Sequence, residues 1–194
     1  GGDTWTRLAE GLPKGDVGRI GLDVSRSSPN IVYATIETKV TGNGAVTGNT
    51  EGSVYRSDDY GASWQKMGTG SSYAWYMGQI RVDPTNPDRV YFQGVPLQVS
   101  TDGGRTFRNT ATAAHVDHHA MWIDPTDPDH IIIGSDGGVY ITHDRGQTMD
   151  FVSNLPIAQY YAIDVDNRQL RAFAGEAPSD RAADATAASG DDRD

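Results

Sequence analysis

Three of the five histidines fall within five residues, in His115-Val116-Asp117-His118-His119. Imidazole and carboxylate groups are competent ligands for zinc or another divalent ion, and imidazole moves protons near neutral pH. On a strand, His115, Asp117 and His119 would share one face, with His118 on the other. His115, Asp117 and His119 are therefore the candidate metal ligands, and a divalent ion is the one cofactor suggested. Asp117 and His119 are the candidates for a catalytic role. Two other readings compete: a hydrogen-bonded structural network, and a polar rim that binds a ligand.

A second set of acids invites glycosidase chemistry, which needs paired carboxylates. Ser57-Asp58-Asp59-Tyr60-Gly61-Ala62-Ser63-Trp64 reads S-x-D-x-G-x-[ST]-W. Residues 100–107 and 142–149 are further copies, and residues 1–5 hold the tail of another. The key positions are Asp59, Gly61 and Trp64, then Asp102, Gly104 and Phe107, then Asp144 and Gly146. The Asp can accept bonds from its own turn's N–H groups, and the Gly can take φ > 0 where the chain reverses. The closing aromatic drops into the core. These aspartates are thus read as structural, each holding one hairpin.

The elements that would position these residues follow from repetition, which takes precedence over local propensity. Gly2, Gly61, Gly104 and Gly146 are spaced by 59, 43 and 42 residues. An apolar strand ending in Asp, then a turn, then a second apolar strand keeps the same phase, with aspartates at 23, 83, 124 and 164. A unit of about 42 residues matches a four-stranded propeller blade. In the second unit, strand one covers 78–82, strand two 89–93 and strand three 97–100, and strand four starts at Thr106 or Phe107. Asp83-Pro84-Thr85-Asn86-Pro87-Asp88 separates the first two, since proline removes ladder donors. Thr38–Gly52 reads as a long solvated excursion between strands two and three.

Strand one of a blade lines the central channel, so its register nominates ligand contacts. Arg19 aligns with Gln79, Ala120 and Tyr160, and Gly18 with Gly78, His119 and Gln159. Tyr73, Trp75 and Tyr76 lie just ahead. The candidate ligand-binding residues are Arg19, Trp75, Tyr76, Gln79, His115, His118, His119 and Tyr160. Aromatics beside hydrogen-bonding groups suit sugar faces or peptide side chains.

Composition narrows the function. High glycine content, 23 of 194 residues, fits many short strands and turns. The absence of cysteine excludes a disulfide scaffold and a thiolate metal site. A net charge of −10 argues against a nucleic-acid partner. No run of 18 apolar residues occurs, so no membrane-spanning helix is expected. Residues 1–168 are read as the propeller segment, and 169–194 as an interrupted last blade followed by a disordered acidic tail.

On residues 18–24, 53–64, 79–91, 115–125, 134–146 and 154–166, the chain resembles the Asp-box or BNR-repeat β-propellers. That superfamily includes sialidases, xyloglucan-degrading enzymes and sortilin-type receptor domains. The resemblance is nearest to bacterial secreted "glycosyl hydrolase" or sortilin-like propellers. It implies an all-β fold of about four blades in an incomplete ring, within a larger extracytoplasmic protein. It also implies recognition of a glycan or peptide at the channel face. A glycoside hydrolase whose carboxylates lie partly outside this chain, and a structural interaction scaffold, are the alternatives. Unpaired blade edges call for missing blades or self-association to cover them.

Overall fold

Fourteen short strands and no helix make up the described residues. The computed structural model describes residues 2–14, 17–38, 52–70, 74, 76–155, 158–166 and 169–174. Most of the expected excursion, the acidic tail, and the candidates Tyr73 and Trp75 lie outside these residues.

The strands form three four-stranded antiparallel sheets, each in sequential order, and one two-stranded sheet. The first holds β1 (Val17–Val24), β2 (Val32–Thr38), β3 (Gly52–Ser57) and β4 (Gln65–Thr69). The second holds β5 (Gln79–Val82), β6 (Val90–Gln93), β7 (Gln98–Ser100) and β8 (Arg108–Asn109). The third holds β9 (His118–Ile123), β10 (Ile131–Ser135), β11 (Gly138–Thr142) and β12 (Asp150–Phe151). Strand β13 (Tyr160–Asp166) pairs with β14 (Gln169–Ala174). The fold is all-β, built of propeller-type blades. The fourth strand begins at Arg108, just after the box aromatic. Two compact units contain these blades, Gly1–Thr110 and Ala111–Asp194.

The same bonds recur in each Asp box. Ser57 Oγ donates to Asp59 Oδ1 at 2.7 Å and accepts the Gly61 N–H at 2.8 Å. Ser63 donates its N–H to Asp59 Oδ1 and its hydroxyl to Oδ2. Ser100, Asp102, Gly104 and Thr106 repeat the pattern, as do Thr142, Asp144, Gly146 and Thr148. Tyr60, Gly103 and Arg145 take left-handed φ values of 61°, 74° and 61°. Each donates its N–H to the last residue of the first interstrand turn of its own blade, Asn30, Asp88 and Asp129 respectively. The box therefore staples one blade end to itself.

That first turn corrects the register read from the sequence. Asp83 and Asp124 each accept bonds from the N–H groups two and three residues on. Their own N–H groups donate to the carbonyls of Arg89 and His130. In the first blade the matching residue is Ser25, not Asp23: Ser25 donates to Ile31 and accepts from Ser28. Asp23 lies within β1, and its Oδ2 accepts the N–H of Val82 on β5 at 2.7 Å. Burial pushes its pKa up, against bonds that lower it. A carboxyl raised in the folded state is most favourable below its unfolded value, and that contribution is lost as pH rises through the folded value. Asp23→Asn, which keeps an acceptor, is expected to leave stability at pH 7 equal or higher and to flatten the loss of stability as pH rises above the usual carboxylate value. Urea melts across pH check this.

Strand alternation assigns the cores. In the first unit Ile31, Tyr33 and Val54 of one blade meet Ile80, Val82, Val90 and Phe92 of the next. Ala34, Ile36 and Tyr55, on the other face, pack with Leu12 and Trp64. In the second unit Ile132, Val139 and Tyr160 meet Trp122, Ile141, Ile163 and Val165. Trp5 departs from the expectation for a box aromatic. It is 90% exposed, and no strand forms within residues 2–14 to receive it.

Candidate functional site

The first strands of the second unit's blades carry the site, and β-bulges aim its side chains. On β9, Ser135 pairs with His118 and Gly134 with Ala120, which leaves His119 as the extra residue. On β13, Ala174 pairs with Tyr160 and Phe173 with Ala162, which leaves Tyr161 extra. A bulge bends its strand and redirects the unpaired side chain. The two redirected rings stack, with centroids 4.0 Å apart and planes 21° apart.

A polar circuit closes around that stack. His119 Nε2 lies 2.7 Å from Asp136 Oδ1, so its N–H donates to the carboxylate. Gln159 Nε2 donates to Asp136 Oδ2 at 3.1 Å, and Tyr161 O–H reaches Gln159 Oε1 at 3.5 Å. Asp136 sits in the two-residue turn between β10 and β11, which Ser135 Oγ braces by accepting the Gly137 N–H at 3.2 Å. His115 lies over that turn, since a Cβ at Gly137 would fall 2.3 Å from its own. His119 is buried at 5%, whereas Asp136 is partly exposed and Gln159 and Tyr161 are open to solvent. The result is an exposed aromatic bordered by an amide and a carboxylate, held from beneath by a buried imidazole.

The other nominated residues divide. Residues 115–117 precede β9 rather than forming part of it, and Asp117 takes φ = 66°. The face expected for His115, Asp117 and His119 therefore does not form. Among the described residues no group of three His, Asp or Glu side chains is placed to hold a metal ion. His118 is 2% exposed. Tyr160 is 4% exposed and belongs to the core, because the bulge at 161 turns the next residue outward instead. In the first unit, Arg19 donates to the carbonyl of Tyr76, and Gln79 Oε1 accepts from Arg81 at 3.2 Å. Tyr76 is 40% exposed.

Asp136 and Tyr161 were not legible as site residues. Asp-Gly between two apolar strands does signal a tight hairpin turn, and that signal could have placed Asp136 at a blade end. Nothing local marks Tyr161.

The Sortilin-Vps10 family, described as sortilin, neurotensin receptor 3, matches residues 52–182. The chain belongs to it. This sortilin-type chain also superposes on two solved enzymes. One is the GH74 enzyme of Niastella koreensis, at a TM-score of 0.64 and 17% identity over 84% of this chain. The other is the GH74 xyloglucanase of Xanthomonas campestris, at 0.65 and 14% over 87%. The sortilin-type chain spans only 27% and 28% of those enzymes, so the likeness concerns fold. No curated protein matches its sequence significantly.

Proposed function

We propose that this chain is a ligand-recognition module of an extracytoplasmic β-propeller protein, and that its second unit binds a glycan on the Tyr161 ring. The observation that carries this reading is the closed circuit of His119, Asp136, Gln159 and Tyr161. An aromatic face covers the apolar face of a sugar ring, while a neighbouring carboxylate and amide accept and donate to its hydroxyls. The circuit fixes both partners before a ligand arrives, which lowers the ordering cost of binding. A peptide presenting an aromatic or amide side chain is the second ligand such a platform suits.

A hydrolytic reading needs two carboxylates about 5–10 Å apart. The circuit contributes one, Asp136, and its second oxygen is bound to Gln159. This favours binding over turnover at this place.

The test is a glycan and peptide array on the full chain, followed by titration calorimetry on the best ligand. Tyr161→Ala is expected to weaken binding about 10- to 100-fold, on the scale of a lost aromatic contact with its hydrogen-bonded neighbours. Asp136→Asn should weaken it less, because an amide keeps one acceptor. Unchanged affinity in both variants would place the ligand elsewhere, and release of reducing sugar abolished by Asp136→Asn would favour the hydrolase.

A further inference from the structure

The Tyr161 platform spends its donors on itself. The His119 Nε2–H and one Nε2–H of Gln159 both go to Asp136, at 2.7 and 3.1 Å. The Tyr161 hydroxyl goes to Gln159 Oε1. What these groups still offer a ligand is mostly lone pairs. A carboxylate has about four acceptor sites, and the circuit uses two of those on Asp136. The Asp136 side chain is 24% exposed, so the others are within a ligand's reach. Gln159 Oε1, also exposed, keeps a second lone pair. A ligand seated here must donate more hydrogen bonds than it accepts.

The distribution of charge points the same way. In the first unit the first strands each carry an arginine, Arg19 on β1 and Arg81 on β5. In the second unit neither β9 nor β13 carries arginine or lysine. No lysine follows Lys66 in the sequence. Among the described residues of that unit, Arg145 is held beside Asp129 at 2.6 Å in the Asp box, at the far end of β11 from the Asp136 turn. Arg171 pairs in register with Asp164 rather than with Tyr161. Asp117, partly exposed, lies two residues before His119 at the Asp136 end of β9. The platform thus presents carboxylate and an aromatic face, with no arginine or lysine of its own blades described beside them.

On the glycan reading of the Tyr161 ring, on which this rests, we infer that the bound glycan carries a free primary amine. Its pyranose ring lies on Tyr161, and its ammonium donates to Asp136 and Gln159. A sugar hydroxyl brings one donor together with an acceptor, whereas an ammonium brings three donors, no acceptor and a positive charge. Bonds from an ionised donor to a carboxylate are the stronger kind. A cation within about 6 Å of a ring centroid is also drawn to the aromatic face. Acetylating the amine removes the charge and two of the three donors, and adds an acceptor where the site is already rich in them.

The test compares oligomers of glucosamine, N-acetylglucosamine and glucose with the same linkage and length, by titration calorimetry on the full chain near neutral pH. All three offer Tyr161 the same ring, and only the first offers an ammonium. The glucosamine oligomer is expected to bind at least about tenfold tighter than the other two, the scale of one charge-assisted hydrogen bond. Added salt should weaken it alone. Excess glucose oligomer should displace it from the unchanged chain, because both occupy Tyr161. Asp136→Asn should bring the three affinities level while the glucose oligomer still binds, which also shows that the platform remains folded. Asp150→Asn makes the same charge change on β12 and should leave the preference intact.

Neutral oligomers that bind as tightly as the amine would overturn the inference and leave the glycan reading standing. A preference that Asp150→Asn reduces as much as Asp136→Asn, or that glucose oligomer cannot displace, would overturn it as attraction to the chain's net charge of −10. A lysine oligomer that binds more tightly than the glucosamine one would overturn it in favour of a peptide. Binding of none of the three sugars would overturn both the inference and the glycan reading.

Discussion

Phe92→Ala is expected to lower the stability of the first unit by about 3–5 kcal/mol, the usual range for deleting a buried phenyl ring. The melting temperature should drop by more than about 10 °C for a unit of this size. Phe92 is fully buried on β6, among Ile31, Tyr33, Val54, Ile80, Val82 and Val90. Its ring meets Phe107, the aromatic that closes the second Asp box, edge-on at 6.3 Å. Two glycines make room for it: a Cβ at Gly70 would lie 2.3 Å from Phe92 Cδ2, and one at Gly52 2.8 Å from Cζ. Their backbones belong to or border strands of the neighbouring sheet, so the walls cannot collapse into the vacated space without breaking ladder bonds. The loss should therefore fall at the upper end of the range. Leu22→Ala removes an apolar side chain that is 61% exposed and should cost under about 1 kcal/mol. Urea unfolding of the full chain separates the two results, and a cost for Phe92→Ala no larger than that for Leu22→Ala would mean that this core is not formed.

Acid should unfold the blades through their boxes. The carboxyls of Asp59, Asp102 and Asp144 are each lowered from 3.8 to about 2. In every case the following Ser or Thr side chain is the largest cause, and that residue's backbone N–H is the second. A carboxyl whose folded value lies below its unfolded one contributes stability that is complete above the unfolded value. That contribution is lost as pH falls through the folded one. Stability is thus expected to stay level with respect to these groups above about pH 5 and to fall steeply between pH 4 and 2. Asp59→Asn, Asp102→Asn and Asp144→Asn together should remove most of that slope and lower the plateau at pH 7, since one amide oxygen cannot replace a carboxylate that accepts three or more bonds. Asp23 works in the opposite direction, so Asp23→Asn should leave the acid limb intact. A triple variant whose acid limb matches that of the parent would show that the boxes do not control it.

How much could be read in advance depended on the reach of each bond. Each bond of the Asp box spans no more than four positions, as between Ser57 and Gly61 or Asp144 and Thr148. Its chemistry is therefore written locally, and its recurrence gave the number and order of the blades. The first-strand register was misread at Asp23 because an Asp at a strand end looks the same whether it caps its own turn or not. Its partner, Val82, lies in another sheet.

The site shows the same division more sharply. His119 drew notice through its neighbours in the sequence, yet His115 and Asp117, which shared that notice, do not join it on one face. Tyr160 was nominated by aligning strand-end aspartates, whereas on β13 it is the unpaired Tyr161 whose ring stacks on His119. By itself the sequence determined an all-β chain of repeated four-stranded sheets, because periodic hydrophobicity and self-bonded turns act over a few residues. Only the tertiary structure decided that His119, Asp136, Gln159 and Tyr161 meet. Bulges set where strands from separate blades point their side chains, and a bulge arises from the balance of pairing and packing between strands rather than from any residue type within them.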